Sequence, residues 1–136
     1  SNQKILPAAC ACTVRGIGID LTEVARIKKS MENPRFLSRF FGKEERALFV
    51  GAHAAERAAA HFAAKEAFGK AMGTGIRGFS LAEVQVLRDE RGAPYLSFSG
   101  SAAQIVKERG LSFFCSITHT AQYAQAIVVA QEENAC

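Results

Sequence analysis

No apolar run in this sequence approaches the roughly 20 residues needed to span a bilayer, which excludes a membrane-spanning helix. The one segment with the look of a signal-peptide core, Ile5 to Val14, has a single preceding lysine, Lys4, and runs directly into strand-like sequence. It therefore reads as an N-terminal extension over residues 1–13, ahead of one domain over residues 14–136. The four cysteines, at positions 10, 12, 115 and 136, include no Cys-x-x-Cys pair and no zinc-finger spacing. They read as reduced thiols of a cytoplasmic protein, with no role assigned to Cys10 and Cys12. Internal repeats, linkers, low-complexity tracts and nucleic-acid-binding motifs are also missing.

What the chain does hold is enough apolar sequence for a real core: 136 residues, 49% hydrophobic and 22% charged, as in a globular domain. Its net charge of +4 favours acidic partners, among which nucleic acid, phosphorylated metabolites and acidic proteins stay open.

The run from His61 to Gly75 concentrates chemistry. Ala, Lys, Glu and Met favour a helix, in which Gly69 costs about 1 kcal/mol relative to Ala. At helical spacing Ala59, Phe62, Glu66, Gly69 and Gly73 share one side, with Lys70 beside Glu66, and these small residues admit close approach of another chain or a ligand. His61, Ala64, Phe68 and Met72 lie on a bulkier side that reads as core contact. On this pattern alone Glu66 and Lys70 are an ordinary exposed i,i+4 pair.

Arg15 to Leu21 reads as a strand ending near Asp20, followed by a helix over Thr22 to Glu32 on the spacing of Val24, Ile27 and Met31. Asp20 is then either the N-terminal cap of that helix, with Glu23 three residues on, or a strand-end carboxylate facing a cleft. The pattern favours the cap. Asn33-Pro34 stops the helix. Beyond it Arg35, Phe36, Arg39, Phe40 and Phe41 interleave basic and aromatic side chains, the phenylalanines reading as a core stripe and the arginines as a partner surface. Gly73 to Gly78 is a turn-rich exit from the long helix. Leu81 to Phe98 reads as a β-hairpin turning at Asp89 to Gly92. Ser101 to Arg109 reads as a helix capped by Ser99 or Ser101 and stopped by Gly110. Leu111 to Thr120 and Tyr123 to Ala130 form an antiparallel pair with His119 at its turn, where a lone His beside hydroxyls reads as a hydrogen-bonded structural group.

Each signal is weak alone, but their joint order is specific: Gly-Ile-Gly-Ile-Asp-Leu-Thr-Glu-Val-x-Arg-Ile near the start, Phe-Ala-Ala-Lys-Glu-Ala-Phe-x-Lys-Ala-x-Gly-Thr-Gly in the middle, Ser-Ile-Thr-His-Thr near the end. In these motifs the sequence resembles the holo-acyl-carrier-protein synthases, the short bacterial type of the 4'-phosphopantetheinyl transferases, from about Arg15 to Ala130. The resemblance implies an α+β fold, a small antiparallel sheet wrapped by helices around one long Ala-rich helix. It also implies a homotrimer with sites between subunits.

The activity it implies is magnesium-dependent transfer of the 4'-phosphopantetheine arm of coenzyme A to a serine of apo-acyl-carrier protein, with release of adenosine 3',5'-bisphosphate. Matched onto the motifs, Asp20 and Glu66 are the metal ligands, and Mg2+ suits a pair of carboxylates completed by phosphates and water. Lys70 stands near the pyrophosphate, whereas Lys65 lies about 100° round the helix from Glu66 and ranks below Lys70. The serine proton passes to Glu66, directly or through water, with Asp20 as the alternative. His119, Thr118, Gly73, Thr74, His61 and Arg57 are the implied coenzyme A contacts. Arg26, Arg35 and Arg39 are the implied contacts to the acidic carrier, with Lys28 and Lys29 adding to the field.

Relatives often carry Arg or Trp at the position of His61 and a basic residue at that of Ala93. Fixed charge is thus reduced here, with Arg57 and Arg91 as replacements. Two other readings follow from the same residues: a basic nucleic-acid-binding module, which the missing motif counts against, and a relative that binds coenzyme A without transfer.

Overall fold

The computed structural model describes residues 13–75 and 77–133, so Cys10, Cys12 and nearly all of the expected extension lie outside the described residues. Strand β1 (Thr13–Glu23) begins at the last residue assigned to that extension. It is followed by helices α1 (Val24–Ser30), α2 (Pro34–Phe40) and α3 (Lys43–Arg46), then by the long helix α4 (Ala54–Met72). After a 3-10 turn at Leu81–Glu83 come the hairpin β2 (Val84–Arg88) and β3 (Pro94–Phe98), helix α5 (Gly100–Arg109), and strands β4 (Leu111–His119) and β5 (Tyr123–Glu132). The larger sheet has the order β1-β5-β4, antiparallel throughout, and the hairpin forms a separate two-stranded sheet. This is the α+β arrangement around a long Ala-rich helix that the motifs implied.

Alanine lets α4 sit in the middle of this structure. Ala58, Ala63, Ala64 and Ala67 are fully buried, and the facing row of β5, Ala124, Ala126, Val128 and Ala130, is equally short. With little side chain between them, helix and strands come within backbone contact. A Cβ at Gly18 would lie 1.8 Å from the Ala67 carbonyl oxygen, and one at Gly16 1.9 Å from that of Ala71. The Gly-Ile-Gly spacing therefore has a packing cause: at Gly16 and Gly18 the residues of β1 that face α4 lie against its backbone and leave no room for a side chain. Gly69 is explained in the same way. Its surface is covered by the chain's own turn, where Gly75 N–H donates to the Gly69 carbonyl at 3.0 Å and a Cβ would come within 2.9 Å of Gly75. The close approach expected from another molecule along this side is thus made at Gly69 by the protein itself.

Two local expectations are corrected. Asp20 does not cap a helix. β1 continues to Glu23, paired with Tyr123, so the ladder to β5 outweighs the helical spacing of Val24 and Ile27 and delays α1 to Val24. Ser99 does occupy the N-cap position of α5, but its side chain makes no capping bond. Glu83 does so instead, accepting from Ser101 N at 3.2 Å and Ala102 N at 3.3 Å.

One half of α4 packs Phe68 against Phe79, Phe98 and Phe113, with ring centroids 5.1–5.4 Å apart. The other half receives α1 and α2, where Phe36 and Phe40 stack with Phe41 and Phe62 in the expected aromatic stripe. Cys115 is partly buried, and burial pushes its thiol up to about 11, out of the range of a useful nucleophile.

Between these halves lies a buried ionic cluster. Glu45, fully buried, accepts from His61 Nδ1 at 2.9 Å, Lys65 Nζ at 2.6 Å, Val86 N at 3.0 Å and Gly42 N at 3.0 Å. Lys65 spends its remaining donors on the carbonyls of Leu81, at 2.9 Å, and Val84. Burial opposes ionisation of Glu45, but the bonds from His61 and Lys65 outweigh it and hold the carboxyl below its usual range. Burial likewise pushes the His61 imidazole down, against the pull of Glu45. Both groups therefore bind fewer protons folded than unfolded, and stability falls on acidification. The His61 part begins as pH drops below about 6.5, the unfolded value, and the Glu45 part below about 4.3. Urea denaturation between pH 8 and pH 5 is expected to show this decline, blunted near pH 6 in His61→Gln. A flat profile in the wild type would contradict the assignment.

Candidate active site

Alternation along β1 turns Gly18, Asp20 and Thr22 to the side facing α4. Asp20 Oδ2 accepts from the Thr22 hydroxyl at 2.7 Å. Lys70 Nζ reaches across from α4 to the Ile19 carbonyl at 2.8 Å and stands 3.5 Å from Asp20 Oδ1. It makes no bond to Glu66, so the exposed i,i+4 pair read from the helix is replaced by a link to β1. The reason is that β1 lies beside this side of α4 and offers Lys70 the Ile19 carbonyl.

Glu66, one turn before Lys70, is half-buried. Burial raises its pKa, the Asp20 charge raises it further, and Lys70 and Arg26 oppose both. Two carboxylates from different elements thus repel one another beside one ammonium group. Arg26 flanks them, its guanidinium 5.6 Å from the Phe62 ring centre. Among the described residues no group of three or more His, Cys, Asp or Glu side chains forms a metal cage. Two neighbouring carboxylates fit a cation such as Mg2+, which would complete its shell with substrate phosphates and water. Asp20 and Lys70 open on a hollow of about 360 Å³, shared with Ile19, Leu21 and Gln125.

A second cleft, about 340 Å³, is lined by His53, Glu56 and Arg57 from the start of α4 and by His119 and Thr120 from the end of β4. Arg57 is anchored there by bonds to the carbonyls of Leu48 and Val50. The register Thr22–Ala124–His119 sets His119 two strand spacings, roughly 10 Å, from Thr22.

The family profile of the 4'-phosphopantetheinyl transferase superfamily matches residues 16–128 of the chain. The protein belongs to this superfamily. A holo-[acyl-carrier-protein] synthase of Treponema denticola is 43% identical over 119 residues, 85% of this chain and 97% of the relative. One from Myxococcus xanthus is 40% identical over 126 residues, 88% and 97% of the two chains. Among solved structures, a holo-(acyl-carrier-protein) synthase from Bacillus anthracis in complex with CoA (3',5'-ADP) superposes with a TM-score of 0.76 at 35% identity, covering 90% of this chain and 100% of the other. A holo-[acyl-carrier-protein] synthase from Neisseria meningitidis gives a TM-score of 0.81 at 31% identity, covering 87% and 98%.

In this member of the superfamily Asp20, Glu66 and Lys70 come together, and His119 and Arg57 share a cleft. Gly73 and Thr74 stand apart, just past the C-terminal end of α4, where Gly73 adopts a φ of 79° that ends the helix. Arg57 and Gly73 are roughly 24 Å apart along the helix axis. Thr118 alternates with His119 along β4, and both line a hollow of about 180 Å³ with Leu21 and Gln125. Arg35 and Arg39 lie on α2, Arg39 over the Phe40 ring. His61 is corrected: it is 1% exposed and bound to Glu45, so it is part of the core rather than a coenzyme A contact. Its helical spacing already indicated this. Sequence reading missed Thr22, although Asp-x-Thr on a strand puts both side chains on one face; the early helix boundary hid that signal. It also missed Glu45, whose partners other than Gly42 lie 16 to 41 positions away.

Proposed function

We propose that the protein transfers the 4'-phosphopantetheine arm of coenzyme A to a serine hydroxyl of an apo-acyl-carrier protein, releasing adenosine 3',5'-bisphosphate. The observation that carries this reading is the pair of mutually repelling carboxylates, Asp20 on β1 and Glu66 on α4, with Lys70 between helix and strand. These two carboxylates would hold Mg2+, whose charge offsets that of the pyrophosphate when bound. The serine oxygen bonds to the β-phosphorus, the bond from that phosphorus to the bridging oxygen breaks, and the nucleotide leaves. Glu66 accepts the serine proton, directly or through water. Lys70, an exposed ammonium held within reach by the Ile19 carbonyl, neutralises charge on the leaving phosphate. Arg57, His119, Thr118, Gly73 and Thr74 bind the nucleotide and its phosphates.

Arg26, Arg35 and Arg39 form the docking surface for the acidic carrier. Arg26 ties that surface to the carboxylates, since it stands close enough to oppose the rise in the Glu66 pKa. Each such contact contributes modestly and mainly speeds association. We place the reaction in the cytoplasm; no helix among the described residues is long and apolar enough to cross a membrane.

The working assembly is a homotrimer with sites between subunits. The sheet face away from α4 supports it: Ile17, Ile19, Leu21 and Phe114 are 52–61% exposed and lie in adjoining rows, with Ile19 opposite Ile127. Such a face marks an interface. The separation of Gly73 and Thr74 from Arg57 and His119 fits a site completed by a neighbour. Phe114→Glu, on the same exposed face and lining neither hollow of the site, is expected to yield a folded monomer by sedimentation and to lower turnover at least roughly 10²-fold. A fully active monomer would contradict the shared site.

The reaction is tested by chromatography of the nucleotide. Adenosine 3',5'-bisphosphate should form from coenzyme A and Mg2+ only when apo-acyl-carrier protein is added. Its absence with a competent carrier would overturn the proposal.

A further inference from the structure

Asp20 is held unevenly. Its contact with Lys70 is long, 3.5 Å, and comes from an exposed side chain whose shorter bond, 2.8 Å, goes to the Ile19 carbonyl. Its bond from the Thr22 hydroxyl is short, 2.7 Å, and comes from a residue only 1% exposed. Thr22 is rigid for two reasons. Its β-branched side chain has few χ1 states on a strand, and its partner across the ladder is Ala124, itself fully buried. Asp20 is partly open to solvent, so water would satisfy its oxygens without help. The bond from Thr22 therefore adds little to burial and much to orientation, as donors behind metal-bound carboxylates do.

We propose that Thr22 is a positioning residue, its buried hydroxyl fixing the Asp20 carboxylate for metal binding; this rests on the reading of Asp20 and Glu66 as metal ligands. Thr22→Val keeps the shape and strand preference of the side chain and removes the donor, whereas Thr22→Ser keeps the donor.

Mn2+ is titrated into the protein with coenzyme A present, and free Mn2+ is followed by electron paramagnetic resonance. Thr22→Val is expected to weaken Mn2+ binding roughly 10- to 100-fold, with Thr22→Ser near wild type. In turnover the same change should appear as a higher Mg2+ requirement, with kcat largely restored at saturating Mg2+. Thr22→Ala carries the same expectation should the valine variant fail to fold. Wild-type Mn2+ affinity in the valine or alanine variant, or failure of serine to restore it, would overturn the role of Thr22 alone. No Mn2+ binding by the wild type would overturn the ligand reading and this inference with it.

Discussion

Glu66→Gln is expected to lower turnover at least roughly 10²- to 10³-fold, the scale for losing one group that stabilises charge at a reaction centre, while leaving the protein as stable as wild type or more so. The two halves of this expectation have one cause. The Glu66 carboxyl is pushed up first by burial and then by the Asp20 charge, so its ionised form is unfavourable in the folded protein, the pattern expected of a group that serves a reaction rather than stability. Gln fills the same space without the charge and relieves the repulsion. A thermal melt together with a turnover assay separates this from simple unfolding. Loss of activity with an unchanged or higher Tm is the expected pair, and wild-type activity would remove Glu66 from the site. Raising Mg2+ should not rescue the variant, in contrast to Thr22→Val.

Glu45→Met is expected to destabilise the protein by about 3–5 kcal/mol, the typical cost of leaving a buried charge without its partner. Lys65 would keep only the Leu81 and Val84 carbonyls, and His61 would lose its acceptor. Against the usual stability of about 5–15 kcal/mol, that loss leaves little margin. The double variant Glu45→Met/Lys65→Met removes both charges and is expected to cost clearly less than the two single variants summed. Urea unfolding of all three gives the coupling directly. Additive losses, or a cost below about 1 kcal/mol for Glu45→Met, would show that the cluster does not act as a unit.

Much of the fold was legible because its signals are local. Alanine content and spacing give α4, Asp89 to Gly92 gives the hairpin turn, and Gly110 gives the end of α5, where it adopts a φ of 62°. What stayed hidden depends on partners distant in the chain. Asp20 read as a cap because only the ladder from β5, about a hundred positions away, shows that β1 runs on to Glu23. Gly69 looked like a cost left for another molecule to repay, until the turn at Gly75 filled the space beside it. His61 read correctly as core from its helical spacing and incorrectly as a ligand contact from its place in a motif, because Glu45 was not foreseen beneath it. For the site, the order of Asp20, Glu66, Lys70 and His119 was visible in the motifs. Their arrangement was not, since it follows from Gly16 and Gly18 letting β1 lie directly on α4.

Whether this carboxylate pair serves phosphopantetheine transfer is read out by intact mass spectrometry of apo-acyl-carrier protein incubated with the protein, coenzyme A and Mg2+. The carrier is expected to gain the mass of one phosphopantetheine, to lose that gain with a chelator or with Glu66→Gln, and to show none when the acceptor serine is changed to alanine. A carrier of unchanged mass, under conditions where an established transferase modifies it fully, would contradict the proposed transfer.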